Sequence, residues 1–174
     1  KIVKKKLFEL CYDKEDTFFY DVDKHGNKRK YLSCTIFHLF MEGVLDQEED
    51  SETIENIYTK HIKNPNAFWT EYPFPSMAVC DPSCVNHPKK NCWGYYSQAL
   101  IVLRCTLWMD KYHMTEDFDA ILEKWITKWT FGNSIMFGQE LDPITGEATN
   151  CSEWYSSCML LYIYAVRRLG LLNH

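Results

Sequence analysis

The sequence predicts an all-α protein: about half of an α/α toroid, with long loops at one end and one small β-hairpin. Three observations predict it. Six segments carry helical periodicity. They alternate between helices with a single apolar stripe and helices apolar nearly all round; the first kind keeps solvent at its back and the second is covered on several sides. The connections alternate too. Links from all-round to one-sided helices are short, 43–46 and 111–115, whereas the return links are long, 13–32, 64–94 and 130–153. Two concentric layers satisfy all three, with all-round helices inside and the three long loops gathered at one end.

The first helix is expected over residues 1–12. A hairpin follows, with extended segments at 18–21 and 28–31 around a His25-Gly26-Asn27 turn. The second helix, 33–41, is apolar on nearly every side, and Gly43 stops it. The third opens at Asp46, with Glu49 three residues on as its capping-box partner. Its apolar set, Ile54, Ile57, Tyr58 and Ile62, forms one stripe. The fourth, 95–112, is again apolar over most of its surface. The fifth begins after Thr115 as N-cap. Its stripe of Phe118, Ile121, Leu122, Trp125 and Trp129 assigns both tryptophans to the core. The sixth, 154–169, is all-round apolar until Arg167 and Arg168, which suit a helix C-terminus. Gly170 is the stop.

At 174 residues the chain is expected to be a single domain, 1–174, large enough to bury a core. Residues 1–10 read as the interior of something already helical, so the chain is expected to be a piece of a longer protein. Net charge is −5, and no sustained basic stripe appears, which argues against a nucleic-acid partner. The run Lys4-Lys5-Lys6 reads as a solvated helix face. No apolar run reaches the roughly 18 residues of a membrane span. Of the eight cysteines, Cys11, Cys105 and Cys158 lie in apolar helical patterns, where Cys acts as a small hydrophobe. Without secretory context they read as reduced thiols of a cytoplasmic protein. The Asn150-Cys151-Ser152 triplet fits a glycosylation acceptor but recurs by chance.

The most informative loop is 68–98. Phe68, Trp69, Tyr72 and Phe74 alternate with Pro73 and Pro75, then come Asp81-Pro82 and the run from Asn91 through Trp93, Gly94, Tyr95 and Tyr96 to Gln98. A compact domain rarely spends about 30 residues on an unstructured link without a function for it. Prolines stiffen the loop and hold its aromatics in place. Flat rings interleaved with amides and carboxylates suit a polar ring-shaped ligand such as a sugar.

These residues carry a resemblance. Phe68-Trp69, Tyr72-Pro73, Pro75-Ser76, Asp81-Pro82, the Trp93-Gly94 turn and Asp142-Pro143-Ile144-Thr145-Gly146, in that order, resemble the C-terminal half of (α/α)6-barrel glycoside hydrolases. The likeness is to glycoside hydrolase family sixty-three and mannosylglycerate-hydrolase-like enzymes and, more distantly, to trehalases. It covers about 18–171. It implies an inverting α-glycosidase, with acid and base carboxyl groups roughly 6.5–9.5 Å apart on opposite faces of the sugar. The family's acid lies in the first half of the barrel and has no counterpart here, so this chain is expected to be the C-terminal part of a longer catalytic barrel, inactive alone. The family's base is a Glu three residues before the Asp of the turn. At that offset from Asp142 stands Gln139, with Glu140 beside it. Three alternatives stay open: Glu140 is the base in a register shifted by one, another carboxylate such as Glu147, Asp142 or Glu71 serves, or catalysis is lost and a carbohydrate-binding or structural module remains. Cys92-Trp93-Gly94-Tyr95 also lacks the arginine and proline of the family's Trp-Arg-Gly-Pro.

The site expected on this reading has Glu140 as general base. Trp69, Tyr72, Trp93 and Tyr96 serve as ring contacts, and Asp81, Gln98 and Gln139 as polar contacts to substrate. Each has a plainer reading: aromatics plugging the barrel mouth, an ordinary loop carboxylate, and an Asp81 that only starts an Asp-Pro-Ser turn. No cofactor is expected. Cys80, Cys84, His87 and Cys92 are zinc-type ligands at irregular spacing, and coincidence in a Cys-rich chain is the better account. Asp21-x-Asp23-x-His25-Gly26 echoes a calcium loop but lacks its bidentate Glu. The expected partners are an oligosaccharide or glycoside, and either the missing N-terminal half of the barrel or a second copy. Neither nucleic acid nor membrane is expected.

Overall fold

A computed structural model describes residues 2–85, 94–130, 137–148 and 154–171. The N-terminal helix α1 (Ile2–Leu10) lays Leu7 and Phe8 on the core, keeps Lys4 half-buried and exposes the rest. Strands β1 (Tyr12–Asp13) and β2 (Phe18–Phe19) then pair antiparallel, and β3 (Asp21–Val22) pairs with β4 (Lys28–Arg29). The expected hairpin is thus present, with Asp21 opposite Arg29, but Phe18–Phe19 turns back onto Tyr12–Asp13 instead of extending it. Two aspartates close these turns. Asp13 Oδ1 accepts the backbone N–H groups of Glu15 and Asp16, and Asp23 accepts those of His25 and Asn27. The Asp16 N–H, the Lys30 hydrogen bond and nearby lysine charges hold the Asp13 carboxyl down at about 2.

Helix α2 (Ile36–Met41) starts later than the periodicity suggested, because Ser33 bridges Met77 and the Cys34 N–H donates to Ser76. Gly43, at φ +61°, ends it as expected; Val44 N–H reaches back to Leu39. Asp46 Oδ1 accepts from the Glu48 and Glu49 backbones, and the reciprocal bond to its own N–H comes from Asp50, not Glu49. Glu49 pairs instead with Lys4. Helix α3 (Ser51–Ile57) runs into a π-helical turn, Tyr58–Ile62.

The fourth helical segment is the largest departure. Its expected first turn is strand β5 (Ser97–Gln98), α4 covers only Ala99–Arg104, and a 3-10 turn, Cys105–Leu107, leads into tight turns that bury Trp108 and Met109. Helix α5 (Thr115–Thr130) keeps the predicted stripe: Phe118, Ile121, Leu122, Trp125 and Trp129 are all buried. After β6 (Glu140–Leu141), helix α6 (Ser156–Arg168) ends at Gly170, φ +67°.

The layers follow the expected order. Inner α4 packs on inner α6, and outer α5 packs on α6. Aromatic rings of Phe37 and Phe40 meet Trp108, joining α2 to the end of the fourth segment. Arg168 clamps the layers at the closed end. Its Nη atoms take both oxygens of Asp110, its Nε reaches Asp119, and its guanidinium lies 4.7 Å from the Phe118 centroid. Between outer helices, the Tyr58 hydroxyl donates to Asp117 at 2.7 Å. Helix α6 is not covered all round: Leu160 and Ile163 are 57% and 50% exposed. Among the described residues no helix is long and apolar enough to cross a membrane. Cys11, Cys34, Cys80, Cys105 and Cys158 are free, and burial pushes the Cys34 thiol up to about 11 and the Cys158 thiol to about 12.

The π turn places His61 inside the fold, with Nε2 2.8 Å from the Asp16 carbonyl oxygen and the ring against Phe18. Burial lowers its pKa below the ordinary 6.5. The unfolded chain therefore takes up this proton at higher pH than the folded one. The stability His61 contributes is complete above the unfolded value and falls as pH drops through it toward the folded value. We expect the urea midpoint to fall between about pH 7 and about pH 5, and His61→Gln, which keeps an amide donor, to flatten that fall. The carboxylates with lowered values, Asp13 and Asp16 among them, act in a separate window below their ordinary 3.8. An equal pH dependence in both proteins would exclude His61 as the source.

Candidate functional site

The three long loops meet through backbone pairing. Leu32 N–H donates to Asp81, and Ala78 N–H returns a bond to the Leu32 carbonyl. Pro75 bridges Ser97, Ser97 pairs with Leu141, and Leu141 bridges Ala148. Tyr72 N–H donates to the Pro143 carbonyl, while the Tyr72 carbonyl accepts the hydroxyls of Ser97 and Thr70. Segments far apart in the chain are thereby held in one irregular sheet at the mouth of the layers.

Glu140 lies in this ladder. Its register partner is Gln98, and the Gln98 Nε2 donates to Glu140 Oε1 at 2.7 Å. Glu140 is 0% exposed and Gln98 1%. A carboxylate so deeply placed requires donors buried with it, because the cost of leaving it unsolvated is severe. The other acidic residues of the region are placed differently. Asp142 Oδ1 caps the turn by accepting the Ile144 and Thr145 N–H groups. Burial, the Asp142 charge and a hydrogen bond to Asp142 together raise the Tyr95 hydroxyl. Glu147 is exposed, and exposed Glu71 pairs with Lys124 at 3.4 Å.

The expected substrate contacts divide into groups. Gln139 is 9% exposed. Trp69 is half-buried, edge-on to Phe74 at 5.9 Å, and Tyr96 is buried with its ring edge-on to Tyr95 at 5.3 Å. Tyr72 is half-buried with Gly146 against its ring and Lys128 Nζ 5.7 Å from its centroid. Asp81 is buried, and its two oxygens accept the N–H groups of Leu32 and Ser83, so it both starts the turn and joins two loops. Trp93 lies outside the described residues, as do His87 and Cys92 of the cysteine-rich cluster. Among the described residues no group of three His, Cys, Asp or Glu side chains could hold a metal. Asp23, in the calcium-like stretch, is occupied with its own turn. A concavity of 840 Å³ lined by Lys4, Phe8, Tyr12 and Asp50 contains none of the site residues.

The sequence places Gln98 in the loop 68–98 and Glu140 in the link 130–153 but does not reveal their pairing. A two-residue strand has no period to read, and Ser97 and Gln98 looked like the start of a helix.

Neither a protein-family model nor a curated protein sequence matches this chain. Solved structures do. Neutral trehalase from Saccharomyces cerevisiae superposes with a TM-score of 0.73 at 18% identity, over 99% of this chain and 30% of that one. The glycoside hydrolase family 63 mannosylglycerate hydrolase from Thermus thermophilus, solved with Tris and D-glycerate, gives 0.65 at 16% identity, over 90% of this chain and 36% of that one. A sialidase chain gives 0.72 at 13% identity, over 97% and 16%. The chain thus spans about a third of the first two proteins. These likenesses show the fold: the helices follow the α/α toroid of (α/α)6-barrel glycoside hydrolases, over about half of the barrel.

Gly146 tests how tightly the loops are held. Its φ is +68°, and a Cβ there would lie 2.5 Å from Tyr72 Cζ. Gly146→Ala must displace the ring and bear left-handed strain of roughly 1–2 kcal/mol. We expect a loss of stability of that order in denaturant melts. An unchanged midpoint would mean the Tyr72–Gly146 contact does not hold the loops together.

Proposed function

We propose that this chain is the base-bearing half of an inverting glycoside hydrolase acting on an α-glycosidic bond, part of a longer catalytic barrel. The observation that carries the reading is Glu140: a carboxylate buried in the ladder where the three loops meet, at the mouth of a fold shared with two glycoside hydrolases. Asp142, Glu147 and Glu71 are either engaged in a turn or exposed at the surface, which favours Glu140 over them.

In the reaction, Glu140 takes a proton from water as the water oxygen attacks the anomeric carbon. The bond to the leaving oxygen breaks on the opposite face, and an acid outside this chain protonates that oxygen. Gln139, buried beside Glu140, binds a sugar hydroxyl on this reading. Trp69, Trp93 and Tyr96 supply ring surface. Tyr72 and Asp81 shape the loops that carry them. The remaining barrel helices, or failing them a second copy, cover Leu160 and Ile163 on α6. The free thiols of Cys11, Cys34, Cys80, Cys105 and Cys158 favour a cytoplasmic location.

A second reading has its own observation. Glu140 is sealed from solvent and already accepts a hydrogen bond, while its neighbour Gln139 is an amide. A carbohydrate-binding or structural module would need no more than this. α-Glucosyl and α-mannosyl fluorides separate the two, because fluoride leaves without protonation and the base alone is read. In the complete protein, Glu140→Gln should lower kcat on these fluorides by about 10²–10⁴-fold with KM nearly unchanged. Wild-type turnover by the variant would remove Glu140 from the mechanism, and sugar binding without turnover by the parent protein would favour the module. The chain alone should self-associate through its uncovered apolar side; a monomer by light scattering would mean that side needs no partner.

A further inference from the structure

We propose that Gln98 is a positioning residue that fixes the carboxylate of Glu140, and that it does not itself bind substrate. The inference rests on Glu140 being the base. Three observations carry it. Gln98 and Glu140 face each other in register across β5 and β6, so their side chains leave the ladder on the same side. The Gln98 amide N–H donates to Oε1 at 2.7 Å, with both residues withdrawn from solvent. The backbone of Gln98 is itself fixed on both sides: Ser97 before it is tied to Pro75, Tyr72 and Leu141, and Ala99 after it opens α4.

The chemistry follows from the group. A carboxylate turns about its Cγ–Cδ bond, and holding one oxygen sets the direction of the other. An amide N–H donates without gaining or losing a proton at neutral pH, so it orients Glu140 without competing for the proton taken from water. A lysine or arginine there would add charge, and a serine on this strand would be too short to reach across. Because the two strands belong to different long loops, with Gln98 and Glu140 42 residues apart, this bond also couples the setting of the base to the docking of those loops.

The test is a double-mutant cycle in the complete protein, with α-glucosyl and α-mannosyl fluorides as probes. Gln98→Met keeps the length of the side chain and removes the donor. It should lower kcat about 10–100-fold, the usual cost of losing an orienting partner, and leave KM within about twofold. Introduced into Glu140→Gln it should lower kcat no further, since its effect passes through the carboxylate. A merely structural role would reduce the amount of folded protein without this loss of additivity. Three results would overturn the inference while leaving Glu140 as base: wild-type kcat in Gln98→Met, a raised KM at unchanged kcat, or an additive loss in the double variant. Wild-type kcat in Glu140→Gln would overturn the reading on which it rests. Should the Met variant fail to fold, Gln98→Leu, which is also apolar and has no donor, reads the same cycle.

Discussion

Everything at the mouth of this fold depends on a ladder of very few residues. Ser97–Gln98 pairs with Glu140–Leu141, and single bridges extend it to Pro75 on one side and Ala148 on the other. Loops of this length lose much conformational entropy when ordered, and no helix runs through them to offset it. Backbone hydrogen bonds between the loops supply the order instead, and they satisfy groups that would otherwise be buried unpaired. Asp81 and the Tyr72 carbonyl add to the same net, each joining chain segments from more than one loop.

Below the mouth the physics is different. The layers are held by aromatic area and one cationic clamp. Trp125 and Trp129 are buried edge to face at 5.3 Å, and their indole N–H groups have no hydrogen-bond partner among the described residues. Burying such large rings outweighs the cost of an unmet weak donor. Arg168 gathers Asp110, Asp119 and the face of Phe118 at the far end, where hydrogen bonds to Asp110 raise its already high pKa. One end of the molecule is therefore fixed by packing, and the other by hydrogen bonds. The second kind of order is the one a binding site uses, because polar groups held in place remain able to meet a polar ligand.

The uncovered side of α6 gives the same picture from outside. Cys158, Leu161 and Ala165 are buried against neighbours, while Leu160 and Ile163 on the same helix face solvent. An inner helix of a closed toroid would have no such side. The described helices match about half of the barrel of two larger enzymes.

The layered fold was legible in the sequence because helices announce themselves locally. The stripe of Phe118, Ile121, Leu122, Trp125 and Trp129 repeats every three or four residues, and the structure buries all five. Gly43 and Gly170 stop their helices through a left-handed backbone that glycine adopts without strain. Glu140 was legible as a carboxylate beside an Asp-Pro turn in a long loop. Its partner was not. Tertiary pairing drew Ser97 and Gln98 out of a helical pattern and into a strand, and likewise delayed α2 at Ser33 and Cys34. Periodicity within a segment reports which face is covered, and that alone determined the helices and their layers. Which loop residues meet across the mouth is decided by contacts between distant segments, whose hydrogen bonds leave no period in either one.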